Sequence, residues 1–289
     1  MYHKEILATI NLAHHFKSAY SADQVFRYLR VPIERRKFDT ILGELQQDGA
    51  VVEQENALFT RELLNAYRQK RQWSRNLFRN NRRYLSLISK MPFVKFMALT
   101  GANAFESCQR EDDVDLFIIT RKNRLWLCYV ALVVLCKLLN KRDILCINYL
   151  VDETNLQFHT HDYFTAVQIM HMVPLVGCEM GETIIANNRW MFDYLPNAAP
   201  SLFQNGFYRL ENGENRSQNR GSGFAILTKL NRLIYQKYAA RLQKKYPAAF
   251  GKSIVLGEGV AKLNRIDHHD IYDDIYAEIY RKLAMEVSA

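Results

Sequence analysis

Residues 99–120 read LTGANAFESCQREDDVDLFIIT, and the charges in this stretch decide the fold. The apolar run Phe93–Thr100 ends at Gly101, and a second run, Val114–Thr120, begins between Asp113 and Asp115. Alternation along a strand puts Asp113 and Asp115 on one face, with Val114 and Leu116 turned into the core. Two like charges ~7 Å apart on an otherwise apolar strand are costly unless a cation neutralises them. Hard divalent ions such as Mg²⁺ or Mn²⁺ take carboxylate oxygens and keep positions open for substrate phosphates.

The upstream turn supplies the complement. A strand that ends at Gly101 and passes into a short helix over 102–107 aims backbone N–H groups of Gly101 and Ala102 at an anion, and glycine lets that anion come close. Metal-binding acids opposite a phosphate cradle are what phosphoryl or nucleotidyl transfer requires. Just beyond the second strand, Arg121, Lys122 and Arg124 are candidate phosphate contacts. His159, His161 and Asp162 read as capping and surface polarity rather than metal ligands.

A strand, a glycine turn, about ten residues and Asp-hydrophobic-Asp form the signature of the polymerase β nucleotidyltransferase superfamily, and residues 92–160 resemble it. More narrowly, the chain is similar to prokaryotic nucleotidyltransferase-domain proteins with an N-terminal winged helix, in which a helix opens near Leu-Trp, as at Leu125-Trp126 here. The resemblance implies Asp113 and Asp115 as metal-binding catalytic acids and Gly101 with Ala102 as the nucleotide cradle. It also implies a third carboxylate on a later strand. Asp143, which opens the run Ile144–Val151, is the candidate, with Asp152 at the other end of that run and Asn148 in its middle. Ala102 departs from the pattern, which usually has serine there, so a hydroxyl that would bond phosphate is missing.

Working outward, residues 1–60 read as three short helices and a small hairpin, an order similar to a winged helix-turn-helix. Ser21 and Gln24 form a capping box, and Asp48-Gly49 stops a helix that begins near Ile33. Residues 61–90 form a basic connector helix in which nine Lys and Arg face one acid, Glu62. That charge density suits a solvated connector or a surface for phosphates. Residues 91–203 alternate strand and helix as the nucleotidyltransferase core, with strands expected at 144–151 and 156–159 and helices at 162–172 and 182–194. Residues 204–223 have the Asn, Gly, Arg and Ser content of a flexible loop, and 224–289 read as a C-terminal helical region. The fold class is therefore α+β with a central mixed sheet.

Composition bounds the rest. The 289 residues are 48% apolar and carry a net charge of +9, of which residues 61–90 supply nearly all. A basic surface of this kind attracts polyanions. The longest apolar run, 125–136, is shorter than the ~20 residues that span a bilayer, and nothing resembles a secretory signal. Five scattered cysteines without a CxxC pair fit reduced thiols. The expectation is a soluble, cytoplasmic enzyme with no membrane partner. It would use Mg²⁺ or Mn²⁺ to move a nucleoside monophosphate from an NTP such as ATP to an acceptor hydroxyl, with a nucleic acid or other polyanion as candidate acceptor. The alternative is a nucleic-acid-binding regulator whose nucleotidyltransferase domain is degenerate, and a plain interaction scaffold is a third reading.

Overall fold

The computed structural model describes residues 1–141, 144–210, 224–263 and 269–286. The chain opens with helices α1 (Tyr2–His15), α2 (Ala22–Tyr28) and α3 (Arg35–Gln47), then a hairpin of β1 (Val52–Gln54) and β2 (Ala57–Phe59). The Ser21–Gln24 capping box is formed in both directions and fixes the start of α2. The long basic helix α4 (Leu64–Ser89) leads into β3 (Val94–Leu99), the single-turn α5 (Gly101–Ala104) and β4 (Val114–Thr120). Next come α6 (Leu125–Leu138) and β5 (Leu145–Asp152), and β4 and β5 lie parallel, so the connection between them must cross over the sheet.

The remaining elements are α7 (Tyr163–His171), β6 (Val173–Val176), α8 (Met180–Asn187), α9 (Met191–Tyr194), α10 (Phe224–Lys245), β7 (Ile254–Leu256), β8 (Val260–Leu263) and α11 (His269–Glu286). Six strands form one mixed sheet in the order β6-β3-β4-β5-β8-β7. One face buries Leu116 and Ile118 of β4 under apolar side chains of α4, α6 and α10. On the other face, Phe117 and Ile119 join a continuous core that runs through α7 to Ile6, Tyr28 and Phe38 of the N-terminal helices. No helix among the described residues is long and apolar enough to cross a membrane.

Four expectations are corrected. Leu156–His159 is not a strand: the side-chain amide of Asn188 donates to Leu156 O at 2.7 Å and its oxygen accepts from Phe158 N at 2.8 Å, replacing a ladder partner. The same Asn188 ends α8, so 182–194 is two helices rather than one. The C-terminal region is not purely helical, because β7 and β8 extend the central sheet beside β5. Residues 204–210 of the expected loop are packed, with Tyr208 buried and its hydroxyl donating to Glu106 Oε1 at 3.1 Å; residues 211–223 lie outside the described residues. Strand β6, hidden in the sequence by Pro174, sits at the edge of the sheet, where a residue without an N–H is tolerated.

Candidate functional site

Residues Thr100 to Asp115 build the site. Gly101 turns the chain out of β3 with φ +54°, in the left-handed region that favours glycine, and a Cβ there would lie 3.0 Å from Asp115 Oδ2. The backbone N–H of Thr100 donates to Asp115 O at 3.2 Å, pinning the turn to the start of β4. Buried Asn103 donates its side-chain N–H to Asp113 O at 2.9 Å, fastening the first acid to α5. His171 reaches the same turn from α7: its Nε2 lies 3.1 Å from Ala104 O and its ring is sandwiched between Phe105 and Phe203. Burial drives its pKa down to about 3, so the imidazole is neutral and serves as a strut between Ala104 and the Tyr28 hydroxyl of α2.

Asp113, Asp115 and Cys146 each offer one ligand atom, and all three atoms lie within 4.8 Å of one another. Burial first, and the charges of Asp113 and Asp112 next, push the Asp115 carboxyl up to about 7. Asp112 itself is a loop residue, its carboxylate accepting from Gln109 N at 2.8 Å. None of the five cysteines forms a disulfide.

Cys146 was not anticipated because β5 carries a bulge. Asp115 stands opposite Cys146 and Phe117 opposite Tyr149, so two residues on β4 span three on β5. Strict alternation from Tyr149 would put Cys146 on the other face, whereas the extra residue brings it beside Asp115.

Gly101, Thr100, Asp115 and Cys146 line an open cleft of about 790 Å³. Its walls include the aromatic rings of Phe117, Tyr149, Phe158 and Tyr238, and Lys252 and Lys262 bring positive charge to it. These two lysines were not anticipated, because they come from the C-terminal hairpin region that the sequence reads as helical.

The other expected residues do not converge here. Arg121, Lys122 and Arg124 follow the far end of β4, and the five residue steps from Asp115 to Thr120 alone span ~16 Å. Arg124 is only 1% exposed, with its Nη1 donating to Asn123 O at 2.7 Å and Thr228 Oγ1 at 3.0 Å. That distance separates these candidate phosphate contacts from the Gly101 turn. Asp152 also belongs to the far end, where its carboxylate accepts from Asn123 N and Thr154 N. Asp143 lies outside the described residues. Asp162 caps α7, its Oδ1 accepting from Thr165 N at 2.6 Å, and His161 holds Phe158 O at 2.9 Å and stacks on Trp190. No family model, curated protein or solved structure matches the chain.

Proposed function

We propose that the cleft at Asp113 and Asp115 binds a metal-chelated nucleoside triphosphate and transfers its nucleoside monophosphate to an acceptor hydroxyl, with release of pyrophosphate. The observation that carries this reading is the pair of carboxylates with ligand atoms within 4.8 Å of each other, of which Asp115 lies against the Gly101 turn and lines a cleft of about 790 Å³. The donor chemistry fits Mg²⁺ or Mn²⁺ at the two acids, since a half-buried carboxylate pushed up to about 7 by burial and acidic neighbours is relieved by a cation. When bound, the ion would supply charge neutralisation and alignment at the α-phosphate.

The chain's own residues then divide the work. Asp113 and Asp115 hold the ion, and the N–H groups of the Gly101–Ala102 turn face the phosphates. Lys252 and Lys262 draw the polyphosphate towards the cleft, and Tyr149 and Phe158 offer apolar walls to the base. The resemblance of residues 92–160 to polymerase β nucleotidyltransferases supports the same assignment.

One observation favours a second reading. The group facing Asp115 across β5 is the thiol of Cys146, which is neither a hard ligand nor a base of the usual kind. With Ala102 in place of a serine, this points to a domain that binds a nucleotide without turning it over, in a regulator whose N-terminal helices and hairpin resemble a winged helix.

Transfer of labelled NMP, measured with each NTP and with Mg²⁺ or Mn²⁺, separates the readings. For the enzyme, Asp113→Ala should lower transfer at least about 100-fold, the scale of removing a group that stabilises the transition state. Undiminished transfer in that variant would sink the catalytic assignment. For the regulator, the wild type binds Mg²⁺-NTP without transfer, and Cys146→Asp gains turnover.

A further inference from the structure

The 26 residues of α4 contain seven Lys or Arg and no Asp or Glu. Four of the arginines, Arg68, Arg71, Arg75 and Arg79, line a shallow groove of about 250 Å³ with Gln72 and Asn76, and no apolar side chain contributes to it. Successive arginines three or four residues apart on a helix are ~4.5–6 Å apart along its axis, of the same order as the separation of neighbouring phosphates on a nucleic-acid strand. The guanidinium groups of Arg75 and Arg79 lie over the Phe207 ring, 4.7 and 5.1 Å from its centre. Arg75 Nε is held 2.8 Å from Glu106 Oε1 and Arg71 Nε 3.2 Å from Glu106 Oε2. These contacts fix the planar forks in place before any ligand arrives. Exposed Arg83 and Lys90 continue the positive charge beyond the groove.

An anion already sits in the groove. Glu55, at the tip of the β1–β2 hairpin, accepts from Arg68 Nε at 2.7 Å and lies 3.5 Å from Arg71 Nη1. It occupies the first left-handed position of a two-residue turn, φ +52°, followed by Asn56 at φ +59°. Asn, Asp and Gly are the residues such a turn prefers. A glutamate in that position, with its carboxylate straddled by two arginines, makes the contacts that a phosphate would make there.

We propose that the α4 groove from Arg68 to Arg83 binds the phosphodiester backbone of a nucleic acid, and that Glu55 is an internal competitor which the bound backbone displaces. A polar groove of arginines and amide side chains suits phosphate and sugar oxygens, whereas a protein partner would be anchored by apolar or aromatic contacts. The surface is joined to the cleft. Lys70 Nζ donates to Ser107 O at 3.0 Å and Ser74 Oγ accepts from Cys108 N at 3.0 Å, so α4 grips the loop that runs from the Gly101 turn to Asp113. The proposal does not rest on chemistry in the cleft, and Lys122→Ala, outside both the cleft and the groove, is the control.

The experiment follows the fluorescence anisotropy of a fluorescein-labelled single-stranded RNA with the full chain as salt is raised. With four phosphate contacts the affinity should fall about 50-fold between about 50 and about 200 mM salt. Arg79→Gln with Arg83→Gln should weaken binding at low salt and reduce the salt slope by about 1.4, at ~0.7 for each of the two contacts removed. Glu55→Gln should tighten binding several-fold, and Lys122→Ala should bind as the wild type does. Both arginines are exposed, and a thermal melt checks that the double variant stays folded. Three results would each overturn the proposal: Glu55→Gln binding no more tightly than wild type, Lys122→Ala weakening binding as much as the double variant does, or a polyglutamate displacing the RNA at equal charge.

Discussion

The two ends of β4 are built from the same material and solve opposite problems. At its start Asp113 and Asp115 stand together with Asp112 nearby, and burial and mutual repulsion raise the Asp115 carboxyl to about 7. At its finish every described acid has donors. Asp152, 2% exposed, accepts from Asn123 N, Thr154 N, Thr154 Oγ1 and Asn155 Nδ2. Glu153 takes Lys95 Nζ at 2.5 Å and Lys122 N at 2.9 Å, and although burial alone would raise its carboxyl, those contacts hold it below the usual range. Charges that the fold satisfies internally hold the backbone in place. Charges that it crowds together at a cleft leave an energetic deficit, which an external cation can offset.

The largest expected effect comes from breaking the satisfied end. Asp152→Ala leaves several N–H and O–H donors without their acceptor, and losing a buried charged acceptor of this kind costs on the order of 3–5 kcal/mol. The urea midpoint of the variant should fall accordingly with an unchanged m-value. A shift below about 1 kcal/mol would show that water replaces the carboxylate and that the two ends differ less than their geometry indicates.

The crowded end should respond with the opposite sign. An acid raised from 3.8 to about 7 on folding keeps its proton longer in the native state, so between about pH 4 and pH 7 its contribution to stability falls as pH rises. Asp115→Asn removes that penalty. The variant should be more stable than wild type by on the order of 2 kcal/mol at pH 8, with the gain vanishing near pH 4. Denaturant titrations at the two pH values check this, and a variant less stable than wild type at pH 8 would refute the picture of a strained carboxylate. Adding Mn²⁺ at pH 8 should raise the melting temperature of the wild type and leave that of Asp115→Asn unmoved.

The contrast also marks what the sequence could tell. The glycine turn, the acidic pair and the apolar strand are local, and strand alternation places Asp115 where it is found. The three helices and hairpin of residues 1–60 are equally local, written in the Ser21 capping box and the Asp48-Gly49 stop. Cys146 is not local: its place beside Asp115 depends on a bulge in β5, and a one-residue change of register reverses the face of every side chain that follows. Strands β7 and β8 are three and four residues long and are defined by what they pair with, and Pro174 argues against a strand unless that strand is known to be at an edge. Asn188 acts as a ladder partner through its side chain, a role that no periodicity reveals.

The smallest expected effect sharpens the comparison most directly. Lys122 follows the end of β4 with an exposed side chain, while the Gly101 turn and Asp115 lie at the strand's other end. By sequence alone it is as good a phosphate contact as any lysine near the acidic pair, and the seven-residue strand is what separates them. Lys122→Ala keeps the backbone N–H that donates to Glu153 Oε1, so its stability should stay within about 0.5 kcal/mol of wild type. Its affinity for Mg²⁺-ATP, measured by calorimetry, should match wild type, whereas Lys262→Ala, whose side chain lines the cleft, should bind several-fold more weakly. If Lys122→Ala lost affinity and Lys262→Ala did not, the nucleotide would be at the basic end of β4, and the division between a satisfied end and a ligand-seeking end would have to be reversed.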